Sequence, residues 1–217
     1  MDGIEEIQVI GGGRMLRKAN AENMRHKVET PFVSAEVDRV LKAVEKQLGD
    51  DQLSSSIQFS PTAMTLIKRL LVFGGTIVAD TTMISAGVDT QLLGNNGARI
   101  MTFINDPNVV QLAEQKRVTR AEIAVDMGLA LPGAKLMVVG SAPAAINRLI
   151  WRRQREPMTD VCVLAAPTGF ASVVQLKERL CDSDLASIVV RGKKGGINVT
   201  VALLNAIMRE IANPVGV

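Results

Sequence analysis

The chain is predicted to fold as a single α/β domain: a central, mainly parallel sheet flanked by helices on both faces. Three observations predict it. Short runs that are apolar throughout, "TIVA", "LMVV", "CVLA" and "IVV", recur along the chain. Segments with apolar residues three or four positions apart alternate with them. A length of 217 residues suits one domain with a substantial core. Strands that are apolar on both sides of the pleat must be covered on both sides, which is the pattern of a parallel sheet with helical crossovers.

The elements follow in order. Residues 1–30 are polar, carry "GGG" at 11–13 and show no period, so they are read as an N-terminal arm ahead of a domain spanning 31–217. From Ser34, which can cap a helix, Val37, Val40, Leu41, Val44 and Leu48 share one face up to Gly49. "DDQLSSSIQFSP" reads as a loop. Ser60 then caps a helix over 61–73, with Pro61 at its first position and Gly74-Gly75 at its end. "TIVAD" is a short strand ending at Asp80, and "ARIMTF" (98–103) a second. A helix over 117–131, a strand over 134–139, a helix over 144–154 and a strand over 160–165 come next. The chain closes with a helix over 172–183, a strand over 185–190 and a helix over 198–212.

Composition removes several function classes. Aromatic residues make up 3% and there is no tyrosine, so platforms for stacking single-stranded nucleic acid are scarce. The net charge of +3 is spread along the chain, and no nucleic-acid partner is expected. Two cysteines, Cys162 and Cys181, form neither a disulfide framework nor a four-thiolate site; with no metal-ligand spacing elsewhere, no metal and no cofactor are expected. No apolar run approaches the roughly 18 residues of a membrane span, and the start is acidic, so a cytoplasmic protein without a membrane partner is expected. The single histidine, His26, sits between Arg25 and Lys27 and is read as a surface residue.

Right-handed crossovers place every strand-to-helix turn on one edge of such a sheet, where ligands of α/β proteins bind. Four of these turns are unusual: "DTTMISAG" (80–87), "GSAP" (140–143), "APTGF" (166–170) and "RGKKGG" (191–196). Small residues let a ligand approach the backbone, helix N-termini favour anions, and Arg191, Lys193 and Lys194 add positive charge. The rim suits a broad molecule with several carboxylates. Nucleotide signatures do not fit: "VIGGGRML" and "VVGSAPAA" both miss the dinucleotide fingerprint, and no Walker motif is present.

"FSP" (59–61), "GGTIVAD…MISAGV", "NDP" (105–107), "TRAE" (119–122), "VVGSAPAA" (138–145), "APTGF" and "VVRGKKGGINVTVALLNAI" (189–207) occur in an order that resembles precorrin-8X methylmutases, the CbiC/CobH family, from about Phe32 to the C-terminus. The resemblance implies an isomerase of cobalamin biosynthesis. It would move a methyl group between adjacent ring carbons (C11 to C12) of precorrin-8X or its cobalt form, yielding hydrogenobyrinic acid or its cobalt counterpart. It also implies a homodimer with the tetrapyrrole substrate at the subunit interface.

Carried over by motif, Arg120, preceded by Thr119, would bind a substrate carboxylate. Arg191, Gly192, Lys193, Gly195 and Gly196 would form one pocket turn, Gly140, Ser141, Ala142 and Pro143 a second, and Pro167, Gly169 and Phe170 a third. Ser60 and Asp80 come with their motifs as substrate-binding residues. The family's catalytic histidine falls on Lys46, its acidic residue on Thr82, a nearby histidine on Ala86, and a glutamate on Gln175. A lysine ammonium holds its proton more tightly than an imidazolium in water, so proton donation from position 46 would be a different chemistry. Two alternatives stand beside this one: a catalytically altered relative that binds or carries a corrinoid, and a nucleotide- or phosphate-binding α/β protein.

Overall fold

The computed structural model describes residues 34–94 and 96–213. The arm expected over residues 1–30, His26 included, lies outside them. The chain divides after Ser34, and the architecture is that of the unit beginning at Ala35.

Six strands, β1 (Ile57–Phe59), β2 (Thr76–Ala79), β3 (Arg99–Met101), β4 (Lys135–Val139), β5 (Val161–Ala165) and β6 (Ala186–Val190), form one sheet in the order β1-β6-β5-β4-β2-β3. All pairings are parallel except that of β1 with β6. The helices are α1 (Ala35–Leu48), α2 (Ala63–Phe73), α3 (Thr82–Gly87), α4 (Pro107–Lys116), α5 (Arg120–Ala130), α6 (Pro143–Arg153), α7 (Ala171–Cys181) and α8 (Ile197–Ala212).

Strand side chains alternate between two cores, as a period of two requires. Ile77, Leu136, Val138, Leu164 and Ile188 point into one, packed by α1, α2, α3 and α8. Val78, Met137, Val139, Val163 and Val189 point into the other, packed by α4, α5, α6 and α7. This is why the strands read as continuous apolar runs. Leu136, Leu164 and Ile188 are fully buried, each contributing about 1.5–3 kcal/mol of transfer free energy.

Several boundaries differ from the sequence expectation, each for a local reason. The segment read as a loop contains β1, which pairs antiparallel with β6 from Ile57 opposite Val190 to Phe59 opposite Ile188; three residues are too few to display a period. The Ser60 hydroxyl, expected to cap α2, instead accepts the Ser187 N–H at 2.8 Å, and the helix starts at Ala63 without a side-chain cap from Thr62. Helix α4 was not expected, although Asp106 caps it and Pro107 opens it. Arg117 ends α4 in the left-handed region at φ 53°, so the helix expected from 117 begins at Arg120. Gly74 ends α2 at φ 80°, where a Cβ would lie 2.4 Å from the Asn96 carbonyl oxygen.

Candidate functional site

β4, β5 and β6 are parallel neighbours, so the turns after them stand side by side at one edge of the sheet. Backbone hydrogen bonds join them. The Ala166 amide donates to the Val139 carbonyl at 2.8 Å, and the Gly196 amide donates to the Ala166 carbonyl at 2.6 Å. The "GSAP", "APTGF" and "RGKKGG" turns therefore form one continuous rim. β2, on the far side of β4, brings Asp80 to the same edge.

Asp80 does not face outward. Its carboxylate Oδ2 accepts the amides of Ser141 at 2.9 Å and Ala142 at 2.8 Å, occupying the N-terminus of α6, the place where an anion would otherwise sit. Oδ1 is buried with no hydrogen-bond partner among the described residues. Burial raises the Asp80 pKa, and the two amides counteract that only in part. Asp80, expected with Ser141 and Ala142 to bind substrate, is thus hydrogen-bonded to the amides of the other two. The N-termini of α7 and α8 are different, since neither Phe170 nor Gly196 supplies a side-chain cap.

The glycines of the rim serve the protein's own packing first. A Cβ at Gly140 would lie 2.6 Å from Thr200 Oγ1, and one at Gly195 would lie 2.1 Å from the Ala166 carbonyl oxygen. Gly192, at φ 68°, has open space around it and serves turn geometry. Pro143 occupies the first turn of α6. Gly169 precedes Phe170, whose ring is 83% exposed at the rim.

The cations divide into paired and unpaired. Arg191 forms a two-pronged pair with Glu178, which holds its pKa above the ordinary arginine value. Lys194 Nζ meets Asp50 Oδ2 at 2.6 Å, and that ammonium holds the Asp50 carboxyl below its usual range. Arg191 and Lys194, expected to add positive charge at the rim, thus each carry a partly exposed acidic partner. Thr119 is engaged too: its hydroxyl and Glu122 form a reciprocal cap on α5. Arg120 and Lys193 are exposed and make no ion pair among the described residues.

Two predicted residues stand apart. Ser60 follows antiparallel β1 and bonds to Ser187 near the start of β6, so within one chain it lies at the edge opposite the rim. Lys46 is exposed in the last turn of α1. The chain segment after that turn approaches the rim through the Asp50–Lys194 pair and the Arg191 amide, which donates to the Ser56 carbonyl at 2.7 Å. Sequence reading missed Glu178, Asp50 and Lys177, since partners distant in sequence leave no periodic signal. The described residues contain no cluster of potential metal ligands, and none of their helices is long and apolar enough to cross a membrane.

The fold and rim define an α/β protein with the unpaired Lys193 and two uncapped helix N-termini at one sheet edge. Residues 16–210 match the family model of precorrin-8X methylmutase (CbiC). The chain belongs to the precorrin-8X methylmutase family, a family of isomerases. It is 32% identical over 181 residues to the cobalt-precorrin-8 methylmutase of Salmonella typhimurium, covering 83% of this chain and 84% of that one. With the Priestia megaterium cobalt-precorrin-8 methylmutase the figures are 30% over 177 residues, 82% and 78%. The crystal structure of precorrin-8X methyl mutase from Thermus thermophilus superposes with a TM-score of 0.70 at 27% identity, over 81% of this chain and 86% of that one.

Proposed function

We propose that this protein catalyses the methyl migration for which its family is named, converting precorrin-8X or its cobalt form between isomers in cobalamin biosynthesis, in the cytoplasm. The observation that carries this beyond family membership is the continuous rim over β4, β5 and β6, with Lys193 unpaired and the N-termini of α7 and α8 uncapped; Arg120, unpaired at the start of α5, joins it by the motif resemblance. A corrinoid precursor is a wide macrocycle edged with carboxylates. Arg120 and Lys193 take carboxylates by charge, and the amides at the two helix N-termini take others by hydrogen bonding.

The protein works as a homodimer with the site at the subunit interface. Phe170, at 83% exposure just before α7, and Met83, at 64% in α3, lie just past the ends of β5 and β2, and apolar side chains so exposed are covered by a macrocycle face or a second subunit. By the motif resemblance Lys46 stands at the position of the family histidine, and Lys46, His26 or the substrate's own groups supply the proton on which the migration draws.

Adding precorrin-8X to the purified chain and recording the visible spectrum tests the proposal. Conversion gives the spectrum of the rearranged macrocycle. A shifted but static spectrum makes the protein a corrinoid carrier, and an unchanged spectrum removes the corrinoid altogether.

A further inference from the structure

We propose that Lys177 is a positioning residue of the rim: its buried ammonium draws the Pro167 and Lys194 carbonyls inward, turning the amides that follow them, Thr168 and Gly195, outward toward the ligand. The proposal rests on the rim being where the corrinoid binds.

Lysine is almost never fully buried without a partner, yet the Lys177 side chain is 0% exposed. Its sequence neighbour Glu178 turns outward to Arg191. The ammonium's partners are instead two backbone carbonyls, Pro167 O and Lys194 O, each at 3.0 Å. They belong to different turns, one after β5 and one after β6. Burial without a counter-ion lowers the pKa of this group, with Glu178 and Cys181 opposing only partly. A buried methionine would fill the same space without that desolvation cost, so the charge serves something other than packing.

The carbonyl and amide of a trans peptide point in opposite directions. With the carbonyls of Pro167 and Lys194 held on Nζ, the N–H groups of Thr168 and Gly195 face away from it, and neither donates to a partner among the described residues. The Gly196 amide bonded to Ala166 locks the two turns together beside the ammonium. One internal cation thus sets two peptide planes on two adjacent turns, leaving a pair of directed donors for a carboxylate.

The experiment compares the full-length chain with Lys177→Met and Lys177→Gln by hydrogen exchange and by visible titration with precorrin-8X. Exchange is expected to rise together in 166–170 and 191–196 while β5 and β6 stay protected, and the Met variant is expected to lose about tenfold or more in affinity. Lys177→Gln, which keeps a donor on a shorter arm, is expected to fall between. Turns as protected as in the wild type overturn the proposal, as do loosened turns with affinity within about twofold of wild type. Loss of protection throughout β5 and β6, or no folded protein from either variant, also overturns it, because the lysine would then hold the fold and not the rim. Failure of the wild type to bind precorrin-8X would count against the proposed function alone; the exchange comparison would still decide the role of Lys177.

Discussion

Asp80 Oδ2 accepts the Ala142 amide at 2.8 Å across the ends of β2 and β4, so the α6 N-terminus is filled by the protein's own carboxylate. Parallel sheets reverse strand order between β2 and β4 here, and ligands of open α/β folds commonly bind at such a point. In this protein Asp80 occupies the helix N-terminus at that point, and the helix N-termini without a side-chain cap lie one and two strands further along, after β5 and β6.

Replacing Asp80 with Ala strands two amides, with an expected loss of about 1–3 kcal/mol in urea denaturation. Asp80→Asn keeps an acceptor and removes the charge. Burial raises the folded-state pKa of Asp80, so its contribution is fully present below the unfolded value near 3.8 and is lost as pH rises through the folded value. The Asn variant should therefore gain stability relative to wild type between acid and neutral pH. A gap that narrows over that interval would refute the assignment.

Gly195 and Gly192 make a matched pair. Alanine at Gly195 would place its Cβ 2.1 Å from a carbonyl oxygen at φ 143°, and a loss of more than about 2 kcal/mol is expected. Alanine at Gly192 meets nothing within 4 Å at φ 68° and should cost about 1 kcal/mol. Thermal denaturation of both variants checks the ranking.

Arg120→Ala should leave stability within about 0.5 kcal/mol of wild type while raising KM for precorrin-8X, and the effect should shrink as salt is added. Arg191→Ala removes the Glu178 pair, a half-exposed one, expected to be worth about 0.2–1 kcal/mol. Unchanged substrate affinity in Arg120→Ala would remove that arginine from the site.

Burial pushes the Cys162 thiol up to about 12 and the Cys181 thiol up to about 11. Neither should react appreciably with a thiol reagent at pH 8 until the protein is unfolded, because the thiolate is the reactive form. A folded pKa above the unfolded one gives stability that is present below the unfolded value and is lost as pH rises through the folded value. Stability should accordingly fall above about pH 9, and less steeply in Cys162→Ala.

Lys46→His places at that position a side chain that exchanges a proton near neutral pH. Turnover of precorrin-8X at pH 7 should rise severalfold in this variant. Equal or lower turnover would place the proton source elsewhere.

Strand and helix identities were legible because each carries its own pattern. Apolar strands flanked by helices at three- to four-residue spacing announce a sheet covered on both faces, and Ile77, Leu136, Leu164 and Ile188 are buried as that pattern demands. The adjacency of the turns after β4, β5 and β6 follows from parallel connection. β1 and α4 escaped because one is three residues long and the other carries a weak apolar stripe, with only Val109 and Ala113 fully inside.

Local pattern thus suffices for the fold class and for the edge on which a ligand would sit. Tertiary contact alone decides which rim groups remain available there. Glycine and arginine in a turn look alike in sequence whether they serve a ligand or the protein itself. Glu178 claims Arg191, Asp50 claims Lys194, Asp80 claims two amides, and Lys177 claims two carbonyls. Each pairing joins residues from separate elements. A charge or amide satisfied by a partner distant in sequence keeps the same residue type and loses its vacancy, and only the folded chain brings the partner within hydrogen-bonding distance.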